Sequence, residues 1–160
     1  MASPDKSKTD KSSTNHDATA MLKADHKLVA KLFTEYENTN SVAKKKQLVE
    51  EICKELTIHA QIEEEIFYPA VQKALKDHEL VPEATVEHNT LKDLIAQVKD
   101  VEPDGDMFDA KIKVLSEYVK HHVKEEESEM FPEAKSSKLD MNELGTLMAE
   151  RKSQISAKYA

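Results

Sequence analysis

Two segments of this chain place His and Glu where a helix would otherwise carry apolar side chains. In the first segment, His59 and Glu63 continue an apolar stripe that advances in steps of three and four residues, the spacing that returns side chains to one face of an α-helix. In the second segment, His122 and Glu126 do the same. The segments are HAQIEEEIFYP, residues 59–69, and HHVKEEESEMFP, residues 121–132. Any helical fold of this chain must therefore bury two His and Glu pairs in its core.

The composition favours helices. The 160 residues include only 2 Gly and 5 Pro, and helices need few residues with unusual backbone angles, whereas turn-rich β architectures need many. The length suits one domain with a core that needs no disulfide. We therefore expect an all-α fold, an up-down-up-down four-helix bundle with a short fifth C-terminal helix.

Periodic apolar residues and capping signals predict the first two bundle helices. The first begins after an N-cap at Asp17 and ends at the polar stretch NTNS, because Asp side chains satisfy the free N–H groups of a first turn. The second begins after Ser41. Pro69 should kink or end it, since proline cannot donate the helical hydrogen bond, with a further turn or two to about Asp77.

Similar signals predict the other two bundle helices. The third begins near Pro82 or Glu83, both suited to a first turn, and stops at EPDGD. The fourth is capped by Asp104 or Asp106 and runs towards Phe131.

The ends of the chain differ from its centre. Residues 1–16 are polar without an apolar run, and we expect a disordered N-terminal tail that is neither a signal peptide nor a membrane anchor. Residues 17–135 would form the bundle, and residues 136–160 an amphipathic helix. Because a lone amphipathic helix must bury its stripe, we expect it to be a lid packed on the bundle; the alternative is a dimerisation surface, giving a weak homodimer.

Charge and cysteine content narrow the partners and the compartment. The formal net charge of −8 argues against nucleic acid and anionic membrane surfaces, because both require a basic face. Cys53 is the only cysteine, which rules out an internal disulfide and suits a reducing compartment. We expect Cys53 to be a small buried group and the protein to be soluble and cytoplasmic.

All four predicted bundle helices carry a His on the inward stripe. Burying these groups unpaired would cost several kcal/mol for each charge. A pair of divalent cations would satisfy them together, because imidazole nitrogens and carboxylates bind cations and a carboxylate can bridge two metals. The alternative, isolated core histidines bonded to nearby carboxylates, is weaker for four matched positions. The candidate metal ligands are His26, His59, Glu63, His88, His122 and Glu126.

The other three histidines do not fit this centre. His16 lies outside or at the start of the first helix, and His78 lies beside a crossover. His121 points about 100° away from His122 around the helix, so we expect it to face solvent or to act outside the ligand set.

Nitrogen and oxygen donors without sulfur leave non-haem iron, manganese or zinc as candidates. A carboxylate-bridged pair in a helical bundle favours iron, with manganese or zinc less favoured. Ferritin-like centres use Glu-x-x-His pairs, and no inward stripe of this chain carries one.

The chain resembles the hemerythrin-like, or HHE cation-binding, domain family over residues 17–135. Both long motifs keep the order His-x-x-x-Glu-Glu, four residues, Pro. The matching segments are LKADH with His26, HAQIEEEIFYP with His59 and Glu63, VEH with His88, and HHVKEEESEMFP with His122 and Glu126.

The resemblance implies a diiron centre in which the four histidines are terminal ligands and Glu63 and Glu126 are bridges. Glu64 and Glu127 fit the family's second acidic position, as outer or surface groups. Oxygen-carrying members have a further His where this chain has Lys92, and an Asp at five residues where it has Glu126 at four. Fewer protein ligands leave more open coordination positions on the metal, which favours chemistry at the metal over reversible oxygen storage.

The expected function is that of a non-haem diiron protein that binds or reacts with oxygen, nitric oxide or hydrogen peroxide, in oxidative or nitrosative stress handling or iron homeostasis, with an unknown redox partner. A second hypothesis is an iron or oxygen sensor that signals to a protein partner through metal-dependent ordering. A third is a metal-free structural bundle.

Overall fold

The computed structural model describes residues 17–76 and 78–159. This part of the chain is helical and contains no strand. Residues 1–16, with the predicted tail and His16, lie outside the described residues, as do Asp77 and Ala160. The elements are α1 (Ala18–Glu37), α2 (Val42–Ile62), α3 (Tyr68–Ala74), α4 (Leu80–Val98), α5 (Gly105–Glu125), α6 (Phe131–Ser136) and α7 (Met141–Ala157), with π-helical segments π1 (Glu63–Phe67) and π2 (Glu126–Met130).

Four helical units form the predicted bundle: α1, α2 with π1 and α3, α4, and α5 with π2 and α6. Around the bundle, α1 packs on α2, α2 on α4, α4 on α5, and α5 on α1. The predicted N-caps of α1 and α2 are confirmed, because Asp17 accepts hydrogen bonds from the N–H groups of Thr19 and Ala20 and Ser41 accepts one from Lys44. These bonds satisfy donors that the first turn leaves free.

Other predicted boundaries shift. The third bundle helix begins at Leu80, earlier than expected, because a proline such as Pro82 is tolerated within a first turn whose N–H groups have no helical acceptor. Asp104 is the N-cap position of α5, but its side chain makes no capping bond.

The two prolines of the long motifs lie just after π-helical turns. The N–H of Tyr68 donates to the carbonyl of Glu63, five residues back, and the N–H of Phe131 does the same to Glu126. A proline in an α-helix collides with the carbonyl four residues before it, and the wider π turn moves that carbonyl away. Pro69 therefore does not end the second unit, which continues as α3 to Ala74.

Buried apolar side chains form two clusters, one on each side of the buried histidines. Along α1, for example, Leu22 belongs to one cluster and Val29 to the other, with His26 between them. Cys53 is buried in the second cluster, as expected, and burial raises the pKa of its thiol to about 11.

The fifth helix, α7, packs on α1, α2 and π1. It buries Leu144, Met148 and Ile155 in the first cluster, and Gly145 does not interrupt it. A lid packed on the bundle is therefore what the structure shows. Within residues 17–76 and 78–159, no helix has the length and apolar character needed to cross a bilayer.

Candidate metal centre

The structure brings all six predicted ligand residues into one buried layer between the two apolar clusters. None has more than 9% of its surface exposed. The histidines come one each from α1, α2, α4 and α5, and Glu63 and Glu126 begin π1 and π2. The layer has the position and composition that the inward stripes predicted.

The six residues form two sets of four donor groups that share both glutamates. One set is His26, His59, Glu63 and Glu126, and the other is His88, His122, Glu63 and Glu126. Within each set the donor atoms lie within 4.8 Å of one another. Two carboxylates common to two donor sets have the arrangement in which each carboxylate could bridge a pair of cations.

All four imidazoles turn their Nε2 atoms towards the shared carboxylates. Glu63 Oε1 lies 3.4 Å from His59 Nε2 and 3.1 Å from His88 Nε2. Glu126 Oε1 lies 3.2 Å from His26 Nε2, and its Oε2 lies 3.4 Å from His122 Nε2. Because His Nε2 and carboxylate oxygen both bind divalent cations, these atoms are a suitable donor set.

Several of these buried atoms have no hydrogen-bond partner. They are His26 Nε2, His59 Nε2, Glu63 Oε2 and Glu126 Oε1. His26 Nε2 and Glu126 Oε1 are close enough for an ion pair but lack the angle that a hydrogen bond requires, so we regard the pair as unbonded. Buried polar atoms without partners are costly, and a cation among them would remove that cost. The donor set therefore fits a bound cation.

A ring of four further carboxylates holds the outer nitrogens of the histidines. The Nδ1–H groups donate to Asp25 from His59 at 2.9 Å, to Glu64 from His88 at 2.8 Å, to Glu87 from His122 at 2.6 Å, and to Glu127 from His26 at 2.6 Å. Each carboxylate is one residue away from a predicted ligand on the neighbouring helical unit. With the proton held at Nδ1, Nε2 is left to bind a cation.

Sequence reasoning found part of this ring. Glu64 and Glu127 were expected as outer groups and are placed so, but Asp25 and Glu87 were missed. The available signal was the acidic residue directly before each single His, in ADH and VEH. Periodicity gives a face but not the partner helix, so that signal did not identify which His each carboxylate contacts.

Tyr68, the buried residue just before Pro69, contributes a polar group to the centre. Its hydroxyl donates to Glu126 Oε2 at 2.5 Å and lies 3.2 Å from Glu63 Oε1. It is also 3.2 Å from His88 Nε2 and 3.4 Å from His122 Nε2. The hydroxyl thus contacts every member of the second donor set, whereas the first set keeps its unpartnered nitrogens.

The buried carboxylates and imidazoles of the centre shift one another's pKa values. Burial opposes ionisation of Glu126, but the nearby His122 and His26 imidazoles, 3.4 and 3.2 Å from its oxygens, outweigh burial and hold the Glu126 pKa well below the usual value. Burial also disfavours a charged His122, yet the Glu126 carboxylate raises the His122 pKa to about 9. Protons on His59 and His122, whose pKa values are both raised, therefore provide positive charge that a cation would supply, and binding a cation would release them.

A small cavity adjoins the four histidines on the side of the second apolar cluster. Its volume is about 70 Å³, several times the roughly 10–15 Å³ that one water needs on the same measure. Its walls combine the histidines with apolar side chains, among them Val29, Leu56, Leu91, Ile95 and Val119. The cavity has room for a molecule of a few atoms beside the donor sets.

The remaining described histidines lie outside the centre, as expected. His78 is exposed. His121 faces solvent and lies 3.0 Å from Glu125, and with Glu87 these residues form a surface group beside His122. Lys92, which stands where oxygen-carrying relatives have a further His, pairs with Glu64 at 2.8 Å instead.

Similarity to known proteins agrees with this geometry. A DNA nickase from Nostoc sp. (strain PCC 7120 / SAG 25.82 / UTEX 2576) is 33% identical over 111 residues, 69% of this chain but 31% of the nickase. This chain thus spans less than a third of that relative's length. The crystal structure of a hemerythrin HHE cation-binding domain-containing protein from Mycobacterium kansasii matches with a TM-score of 0.76 and 27% identity, over 89% of this chain and 90% of that one.

The family profile described as the hemerythrin HHE cation-binding domain matches residues 17–134. That range contains all six candidate ligands, the four outer carboxylates and Tyr68. On this match and the shared fold, the chain belongs to the hemerythrin HHE cation-binding domain family.

Proposed function

We propose that this protein is a non-haem diiron protein that binds or reacts with oxygen, nitric oxide or hydrogen peroxide. One iron would be held by His26 and His59 and the other by His88 and His122, with Glu63 and Glu126 bridging them. The observation that carries the proposal is the pair of buried donor sets that share two carboxylates. The unpartnered nitrogens and oxygens among them support it further.

Iron, when bound, would supply the electron transfer that such ligands require. The protein's own residues limit and direct that chemistry. The cavity of about 70 Å³ admits only small molecules, and its apolar walls keep bulk water away from the donor sets. The Tyr68 hydroxyl carries a proton beside Glu126 and the second donor set, at the side of the centre away from Val29 and Leu56.

The first experiment measures iron content after anaerobic reconstitution with ferrous iron, with absorption spectra before and after air is admitted. We expect two irons per chain and new near-ultraviolet absorption. His122→Ala should lose at least one iron, whereas His121→Ala, the neighbouring solvent-facing His, should keep both. No iron in the wild type, or equal loss in both variants, would overturn the diiron proposal in favour of a metal-free bundle.

A second candidate function is an iron or oxygen sensor that signals to a protein partner. The observation that favours it is the buried Glu63 and Glu126 pair, since unpartnered carboxylate oxygens in the core weaken the metal-free fold and make ordering depend on metal. A large gain in helicity or protease resistance on adding iron would support the sensor. Turnover of hydrogen peroxide without a structural change would support an enzyme.

We do not extend DNA nicking to this chain. The net charge of −8 opposes binding to a polyanion, and the similarity leaves most of the nickase uncovered. A supercoiled-plasmid assay with the iron-loaded protein should show no nicking, and nicking that His122→Ala abolishes would contradict this expectation.

A further inference from the structure

The C-terminal helix α7 reaches a candidate ligand through two consecutive polar contacts. Lys152, on α7, donates to Asp25 Oδ1 at 2.7 Å. The other oxygen of the same carboxylate, Oδ2, accepts the Nδ1–H of His59 at 2.9 Å. The Asp25 side chain is only 14% exposed, so both contacts lie partly shielded from water. Lys152, which lies outside the four bundle units, is therefore linked to His59 of the first donor set through a single intervening side chain, Asp25.

We propose that Lys152 is a positioning residue of the metal centre, which holds Asp25 in the orientation that fixes the ring of His59. The inference rests on the proposed function and gives α7 a role in orienting a metal ligand. A carboxylate that bonds the outer nitrogen of a ligand histidine sets the direction and basicity of its inner nitrogen. With Lys152 on one oxygen and His59 on the other, neither oxygen of Asp25 is free to turn away.

The four outer carboxylates are not equivalent in this respect. Glu64 also has a lysine, Lys92, but that lysine lies on α4, the helix that carries His88 itself. Among the described residues, neither Glu87 nor Glu127 has a lysine or arginine within 4.0 Å. Lys152 is thus the described cation that links this ring to α7, and its effect should fall on the iron beside His26 and His59.

The neighbouring residue provides a matched control. Arg151 also joins α7 to the bundle, through bonds to Glu65 on π1 at 2.7 and 3.3 Å. Glu65 has no hydrogen bond to a histidine among its described contacts, since its other partner is Gln61. Replacing Arg151 removes one positive charge and the contact of α7 with Glu65, but leaves both contacts of Asp25 in place.

The experiment compares Lys152→Met, Lys152→Arg and Arg151→Met in the full-length protein. The first readout is the rate at which ferrous iron passes to a chelator. We expect release from one of the two positions to be about tenfold faster in Lys152→Met, and within twofold of wild type in the other two variants. Mössbauer spectra of the ⁵⁷Fe-loaded protein should show one of the two iron signals altered in Lys152→Met. Circular dichroism checks that each variant is folded.

The second readout needs no iron. In the metal-free protein, NMR signals of the His59 ring nitrogens should shift in Lys152→Met and stay near wild type in Arg151→Met. Equal acceleration by Lys152→Met and Arg151→Met, or unchanged release and unchanged His59 signals, would overturn the positioning role. If the wild type binds no iron, the proposed function fails, whereas the His59 signals still decide whether Lys152 positions the ring.

Discussion

At the scale of single residues, the centre combines six inward donors with an outer layer that determines how they point. Each imidazole has its Nδ1 engaged by a carboxylate from the next unit around the bundle. Each Nε2 faces Glu63 or Glu126. Because a carboxylate holds Nδ1 of every ring and the rings are buried, they have little freedom to turn, and the site is organised before a cation arrives.

Tyr68→Phe should weaken the metal-free fold by about 2 kcal/mol, because the variant keeps the ring but removes a buried hydrogen bond to a charged carboxylate. Urea unfolding of the metal-free protein measures the loss. Tyr36→Phe is the control: its hydroxyl also bonds an Asp, Asp109, whose side chain is 44% exposed, and we expect a loss of about 1 kcal/mol or less. Equal losses would show that Tyr68 has no special bond to the centre.

The metal-free protein should become less stable as pH rises above neutrality. Since the His122 pKa is raised from 6.5 to about 9, its contribution to the free energy of unfolding is fully present below pH 6.5 and is lost as pH rises through 9. The lowered pKa of Glu126 matters at acid pH, because the contribution of Glu126 to the free energy of unfolding is lost only as pH falls well below 4.5.

Urea titrations between pH 6.5 and 9.5 measure this slope. His122→Gln should flatten it, whereas His121→Gln should leave it in place. The affinity of the protein for iron should instead rise with pH over the same range, because iron binding releases the proton of His122. A metal-free stability that is independent of pH would contradict the charge assignment.

At the scale of elements, the π turns place the bridging candidates. A π turn holds one residue more than an α-helical turn, and both π segments begin at a shared glutamate and precede a proline. The extra residue changes the directions of the side chains within the turn while the helix beyond it keeps packing. Phe67 and Phe131 meet edge to face, with ring centroids 5.6 Å apart, where the two units pass each other.

Deletion of Ser128, an exposed residue of π2, tests the role of the wide turn. The shortened segment should return to α-helical geometry and turn Glu126 and Glu127 away from their partners. We expect helicity within a few per cent of wild type by circular dichroism, but iron content reduced to one per chain or less. Ser128→Ala keeps the turn length and should keep both irons. Full iron content after the deletion would show that the π turn is dispensable.

At the scale of the whole molecule, α7 packs on α1, α2 and π1 and completes the first apolar cluster. Met148→Ala should lower the free energy of unfolding by about 3 kcal/mol, because the side chain is fully buried and its removal leaves a cavity. Leu147→Ala, one residue earlier and 49% exposed, should change it by less than about 0.5 kcal/mol. Thermal and urea unfolding measure both, and similar effects would mean that α7 does not pack as described.

The helices, their order and the six inward donors could be predicted from the sequence. A helix repeats every 3.6 residues, so apolar stripes, Asp17 and Ser41 as caps, and polar residues at stripe positions are local signals that survive without tertiary information. The His-x-x-x-Glu-Glu motifs with a following Pro added the family resemblance. The continuation of the second unit beyond Pro69 was also predicted. The start of α4 at Leu80 and the π turns before Pro69 and Pro132 were missed, because both depend on how the backbone accommodates proline.

What the sequence by itself determined is the set of residues that must meet in the core, since burying His and Glu on four stripes demands a common partner. Only the tertiary structure decided which carboxylate holds which histidine, that Tyr68 contacts the second donor set, and that Lys152 reaches Asp25. These contacts join residues up to 127 positions apart. They depend on the order of the helices around the bundle and on their relative heights, which the period of any single helix cannot specify.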